Sequence, residues 1–239
     1  MVAARGEEDK LSSLEHIGSS LMDTPELSMI EARKELVKFA ELIRRAYKYI
    51  PLLITEMEES RLRQYVEKLQ KYEDISDSME MEISNYLSKI SQQELSSQGT
   101  ERVRAMLSVA NYLERIGDIY LEVSRNLTNR KEQKAYFTPE MRSKVIQLSE
   151  LVSRSLGLMV KNLEETDAAY LKQAIEVEGE IDKLHQELKA EYITKVEKGK
   201  YRIQSGMYYS DLLAEMERIA DHAINISTAM HPRAKDQVQ

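Results

Sequence analysis

The chain has 239 residues, enough for one large domain or two small ones, and its 42% hydrophobic content can supply a core. It has no Cys, only 8 Gly and 4 Pro, and a net charge of -7. These disfavour disulfides, thiolate metal sites, a turn-rich all-β fold and non-specific nucleic-acid binding.

The opening Met-Val-Ala-Ala-Arg-Gly-Glu-Glu reads as a start fragment or a cloning scar, either of which is compatible with a piece cut from a longer chain. No signal peptide is visible, and no apolar run reaches the ~20 residues of a membrane span. Residues 1–23 form an N-terminal extension. Within it, Leu11, Leu14, Ile17 and Leu21 space a short amphipathic helix over 8–22.

The first long helix has a full start signal, with Thr24 as N-cap, Pro25 at the first helical position and Glu26 in the first turn. Leu27, Ile30, Leu36, Phe39, Ala40, Ile43, Tyr47 and Ile50 keep a helical rhythm as far as Pro51, which must end or kink the helix. A second helix over 59–94 turns Leu62, Val66, Leu69, Ile83, Leu87 and Ile90 inward, and Ser96-Ser97-Gln98-Gly99 breaks it. A third runs over 101–128. Residues 129–138 read as a polar linker, and Thr138-Pro139-Glu140 starts a fourth helix with the same cap logic as the first. A fifth covers 167–197 and a sixth runs from about Ser205 to Met230. The expected division is 24–128 and 139–231 as two three-helix units, with 232–239 as a tail.

A short spelling occurs twice. Residues 114–118 read Glu-Arg-Ile-Gly-Asp, and 217–221 read Glu-Arg-Ile-Ala-Asp. The offset is 103 residues. On the second helix of each unit, Glu73/Asp77 and Glu178/Asp182 recur with an offset of 105. Three helices, a linker and three helices, with matching pairs, indicate a duplication.

Each pair places two carboxylates one helical turn apart on one face. The Glu114/Asp118 stripe also carries Val103, Leu107, Ala110 and Leu121, so the face is expected to look toward the core. Side by side, the two helices of each unit would converge four carboxylates: Glu73, Asp77, Glu114 and Asp118 in the first, Glu178, Asp182, Glu217 and Asp221 in the second. Such groups need neutralising by metal ions, by basic partners or by protons. Carboxylate clusters suit Mg²⁺, Mn²⁺, iron or Zn²⁺. The competing reading pairs Arg115 with Asp118 and Arg218 with Asp221 as surface ion pairs, needing no metal. His185, three residues after Asp182, has the spacing of a further ligand. His222 points about 100° away from Asp221.

No phosphate-binding Gly loop, nucleophile–base set or nucleotide fingerprint is present. A ferritin-like di-iron oxidase needs Glu-x-x-His pairs, and none exists: Ser13, Asp182, Ile219 and Thr228 precede the four histidines by three.

Glu114-Arg115-Ile116-Gly117-Asp118 and the longer Glu217-Arg218-Ile219-Ala220-Asp221-His222-Ala223-Ile224-Asn225-Ile226 resemble the signature of PhoU domains. The resemblance spans about residues 28–230. It implies tandem three-helix bundles that bind multinuclear iron or zinc through Glu/Asp-x-x-x-Asp motifs, regulate rather than catalyse, and act at the cytoplasmic face of the membrane. The stretch Leu21-Met22-Asp23-Thr24-Pro25-Glu26-Leu27 resembles the entry to the PhoU-like cytosolic region of sodium/phosphate cotransporters. It implies a transporter in the same polypeptide as partner. A free-standing PhoU regulator of phosphate uptake and a metal-free helical scaffold are the alternatives, and a homo-oligomer is a further expected association. The first copy departs from the family pattern, with Ile119 and Glu122 where the second has His222 and Asn225.

Overall fold

The computed structural model describes residues 17, 24–165 and 167–231. Among them are seven helices and no strand. They are α1 (Pro25–Ala46), α2 (Tyr49–Thr55), α3 (Glu59–Ser91), α4 (Ser97–Glu132), α5 (Pro139–Glu164), α6 (Ala168–Glu197) and α7 (Ile203–Ala229). The amphipathic helix expected over 8–22 lies outside the described residues except for Ile17. That residue has no regular structure and is half-buried against the core.

The start signals act as read. The Thr24 hydroxyl accepts from Leu27 N at 3.4 Å, the Thr138 hydroxyl from Met141 N at 3.2 Å, and a Pro follows each. Each cap takes up one of the amide donors that a helix leaves without an internal partner. Ser96 caps α4 by accepting from Gly99 N at 3.1 Å, and Asp167 caps α6 by accepting from Ala169 N at 2.8 Å. So Gly99, expected to be part of the break, sits in the first turn of α4.

Pro51 acts one turn before its own position. It has no N–H for the Tyr47 carbonyl, and its ring would press on that carbonyl in a continuous helix. The ladder therefore breaks at 47–48, where Ile50 N takes the Tyr47 carbonyl at 2.9 Å. The chain then resumes as α2, with Pro51 in the first turn, where the missing donor costs nothing.

The polar stretch from 129 stays helical as far as Glu132. Arg130 and Lys131 in the last turn complement the negative end of the helix dipole. The end is then closed by a Schellman pair, Ala135 N to Arg130 O at 2.9 Å and Lys134 N to Lys131 O at 3.0 Å, with Lys134 at φ 53°. α6 ends in the same way, with Gly199 at φ 66°.

α1, α3 and α4 pack on one another, as do α5, α6 and α7, so the molecule is two three-helix bundles in tandem. α4 against α7 and α1 against α5 join them, while α2 lies on α3, α4 and α5. One continuous apolar core includes Phe39, Ile83 and Ile116 from the first bundle and Val145, Ile181 and Met216 from the second. Leu27 and Ile30, counted in the helical rhythm, are exposed: the first turn of α1 is packed through Ser28 and Met29, which leaves these two on its outer face. Among the described residues no helix is long and apolar enough to cross a membrane.

Candidate metal centres

The two bundles place carboxylates at corresponding seams. In the first, Glu73 and Asp77 on α3 meet Asp118 on α4, each offering an oxygen within 4.8 Å of the others. In the second, Glu178 and Asp182 on α6 meet Asp221 on α7 under the same limit. Three of the four residues expected in each half therefore come together. Glu114 and Glu217 stand one turn back along α4 and α7 and act on the triads through charge. Glu114 is hydrogen-bonded to Asp118, and Glu217 repels both Glu178 and Asp221.

The expected core-facing position needs correction. Asp77 and Asp118 are exposed, Glu73 and the second triad are half-buried, and so is Glu114. At 3.6 residues per turn, Glu114 lies about 20° from the direction of Val103 and Asp118 about 60°, whereas Leu121 returns to about 0°. The stripe thus swings to the rim at Asp118 and goes back inside at the buried Leu121. Both triads sit where helix seams open to solvent, a place a cation can reach.

The electrostatics are those of unneutralised acid. Partial burial pushes the Glu73 carboxyl up, helped by repulsion from Asp77, Asp74 and Asp118. Asp77 rises through burial and then Asp118, Asp74 and Glu80. Burial, Asp118, Asp77 and Glu80 carry Glu114 to about 7. Burial followed by acidic neighbours raises Glu178 and Asp221 as well.

The Arg-pairing alternative does not describe these sites. Arg218 donates to Glu215 at 2.8 Å and reaches Glu122 on α4 at 4.0 Å, and it forms no ion pair with Asp221. Arg115 forms none with Asp118. No Lys or Arg among the described residues forms an ion pair with any of the eight carboxylates.

His185 is half-buried and lies outside the second triad. His222 faces α4, its ring 5.5 Å from that of Tyr112, so it belongs to the seam between the bundles.

Three features went unread in the sequence. Gln70 donates to Glu73 at 2.8 Å and to Asp74 at 3.0 Å, orienting a ligand from one turn away. Asp74 and Glu80 make the first site more acidic than the second, which has Gly179 and His185 at the equivalent positions. Gly117 lets α4 approach α3 beside the first triad, since a Cβ there would lie 2.9 Å from Ser76 Oγ. The repeat alignment held the signal for Asp74 and Glu80. The contacts of Gln70 and Gly117 come only from packing.

A family model described as PhoU domain matches residues 34–127 and again 145–230, once for each bundle. The chain belongs to the PhoU domain family. Its fold is similar to the crystal structure of PhoU from Pseudomonas aeruginosa, with TM-score 0.77 and 16% identity over 89% of this chain and 100% of that one. It is also similar to the phosphate transport system regulatory protein PhoU from Streptococcus pneumoniae, with TM-score 0.72 and 18% identity over 87% of this chain and 95% of that one. No curated protein matches. Both PhoU domains of the chain carry a triad at the same seam, between their second and third long helices.

Proposed function

We propose that this chain is a regulator of phosphate transport that works by docking on a transporter, with its two triads as metal sites. One observation carries the metal reading: two carboxylate clusters recur at equivalent seams of a duplicated fold, and neither has a basic partner among the described residues. All-oxygen donors that repel one another suit a hard or borderline cation, and membership in the PhoU family favours iron or zinc among them. Glu73, Asp77 and Asp118 would hold the first ion or cluster, and Glu178, Asp182 and Asp221 the second. When bound, the metal supplies positive charge that ties α3 to α4 and α6 to α7.

The regulatory part rests on membership in the PhoU family and on the S. pneumoniae neighbour, a phosphate transport system regulatory protein. The partner is a phosphate transport system at the inner face of the cell membrane. A free-standing regulator fits the comparisons as well as a domain of a sodium/phosphate cotransporter. Long helices in continuous contact suit the transmission of a small shift at one seam to a docking face. The reading assigns the chain no turnover of its own.

Two measurements test it. Elemental analysis of metal-supplemented protein should find iron or zinc in the wild type and less after Glu178→Gln with Asp221→Asn. Phosphate flux in cells lacking the chain should lose its response to phosphate supply. Absence of bound metal would return the triads to a structural role. Unchanged flux would defeat the regulatory reading.

A further inference from the structure

Arg130 is the most conspicuous charge outside the triads. It is 4% exposed, and its Nε is wholly buried with no hydrogen-bond partner. Among the described residues its guanidinium makes no ion pair and no hydrogen bond; it lies over the face of Phe137, with Cζ 4.2 Å from the ring centroid. A buried cation normally has a carboxylate beside it, because desolvation without a counter-charge is costly. A ring quadrupole offsets only part of that cost.

The surroundings add positive charge. Burial, and after it repulsion from Arg142 on α5, lower the Arg130 pKa to about 10; the Tyr136 phenol acts the other way, and no carboxylate among the described residues does. Arg142 is half-buried and also has no ion pair. Glu140, two residues from Arg142, is engaged by Lys195, Lys144 and Tyr201, and Glu132, two residues from Arg130, is exposed and forms no ion pair with it. The carbonyls at the end of α4 do not serve Arg130 either, since the Schellman pair occupies those of Arg130 and Lys131. Arg130 is closed off, whereas Arg142 is half-buried and Tyr136 is 49% exposed, so solvent touches the group through these two.

We infer that Arg130 and Arg142, at the joint between the two PhoU domains, form a receptor for a phosphate-type dianion, free or carried as a phosphoryl group. Guanidinium forks match tetrahedral oxyanions by paired N–H donors, and two of them balance two negative charges, where a carboxylate would balance one. Lys134 and the Tyr136 hydroxyl stand beside them in sequence as further donors. On a chain of net charge -7, such a site selects by local geometry and not by overall attraction. The inference stands apart from the metal reading, because none of its residues belongs to a triad. An anion there would bridge the end of α4 to the start of α5 and so couple the two bundles.

The test is calorimetric titration of the full chain, chelator-treated so that bound metal takes up no anion. Inorganic phosphate and phosphoserine are the probes, with chloride matching ionic strength. Saturable binding of at least one is expected, and Arg130→Met and Arg142→Gln should each weaken it tenfold or more. Arg130→Met should remain folded by dichroism, since it removes an unpaired buried charge at similar volume. Arg154→Gln, at an exposed arginine 3.7 Å from Glu180, should leave binding unchanged. Binding of phosphate marks the free ion as ligand; binding of phosphoserine alone marks a phosphoryl group on a larger molecule. No binding above chloride, survival of binding in both variants, or an equal loss in Arg154→Gln would overturn the inference.

Discussion

Replacing Glu114 with Gln should stabilise the metal-free protein at pH 8. Glu114 is half-buried on α4, hydrogen-bonded to Asp118 and repelled by Asp118, Asp77 and Glu80. Its folded pKa of about 7 stands above its ordinary 4.5, so the fold keeps this proton after the unfolded chain has lost it. The stabilisation from this group is therefore fully present below pH 4.5, falls as pH rises, and is lost above about 7. For a fully buried group a rise of this size would be about 3 kcal/mol. Solvent screening at the rim reduces it to about 1 kcal/mol, or about 2–4 °C in Tm for a chain of this size. Gln keeps the volume and the hydrogen bond while removing the charge. Thermal melts followed by dichroism, with chelator, should place Glu114→Gln about 2–4 °C above wild type at pH 8 and level with it near pH 5. Saturating zinc should cancel the advantage, because the cation neutralises the same repulsion. A lower Tm for the variant at pH 8 with chelator would show that Glu114 makes a favourable charge contact, and the account of an unneutralised cluster would fail.

Asp221→Asn with Glu178→Gln should lose the metal of the second triad and keep that of the first, as read by elemental analysis; equal loss at both would mean the sites are not independent. Gly206→Ala would set a Cβ 2.4 Å from Tyr192 Cε2, and overpacking against that ring should cost about 1–2 kcal/mol in a denaturant melt. Lys134→Gly should stabilise by about 1 kcal/mol in the same assay, since Lys134 occupies a left-handed cap that favours Gly.

Much of the helical layout was legible from local chemistry. Thr24-Pro25 and Thr138-Pro139 mark helix starts because caps depend on neighbouring residues alone. The repeat of Glu-Arg-Ile-x-Asp placed Asp118 and Asp221 on equivalent helices of the two bundles, where each meets two carboxylates of the neighbouring helix. Where each points depends on accumulated rotation along the helix, so Asp118 was expected inward and lies on the rim. The partner of Arg218 could not be read either. Asp221 and Glu215 both lie three residues from it, on opposite sides, and only the packing of α7 on α4 decides for Glu215.

Sequence by itself determined what is set within a few residues: the helices, their caps, the break forced by Pro51 and the duplication that pairs the carboxylates. Tertiary structure decided what depends on residues far apart meeting. It assembled three carboxylates of each four into a triad, and left Glu114 and Glu217 as charged neighbours. It buried Arg130 against Phe137 with no counter-charge among the described residues. The physical reason is range: caps and turns are short-range backbone terms, whereas burial, repulsion and ligand geometry arise only when separate helices share a seam.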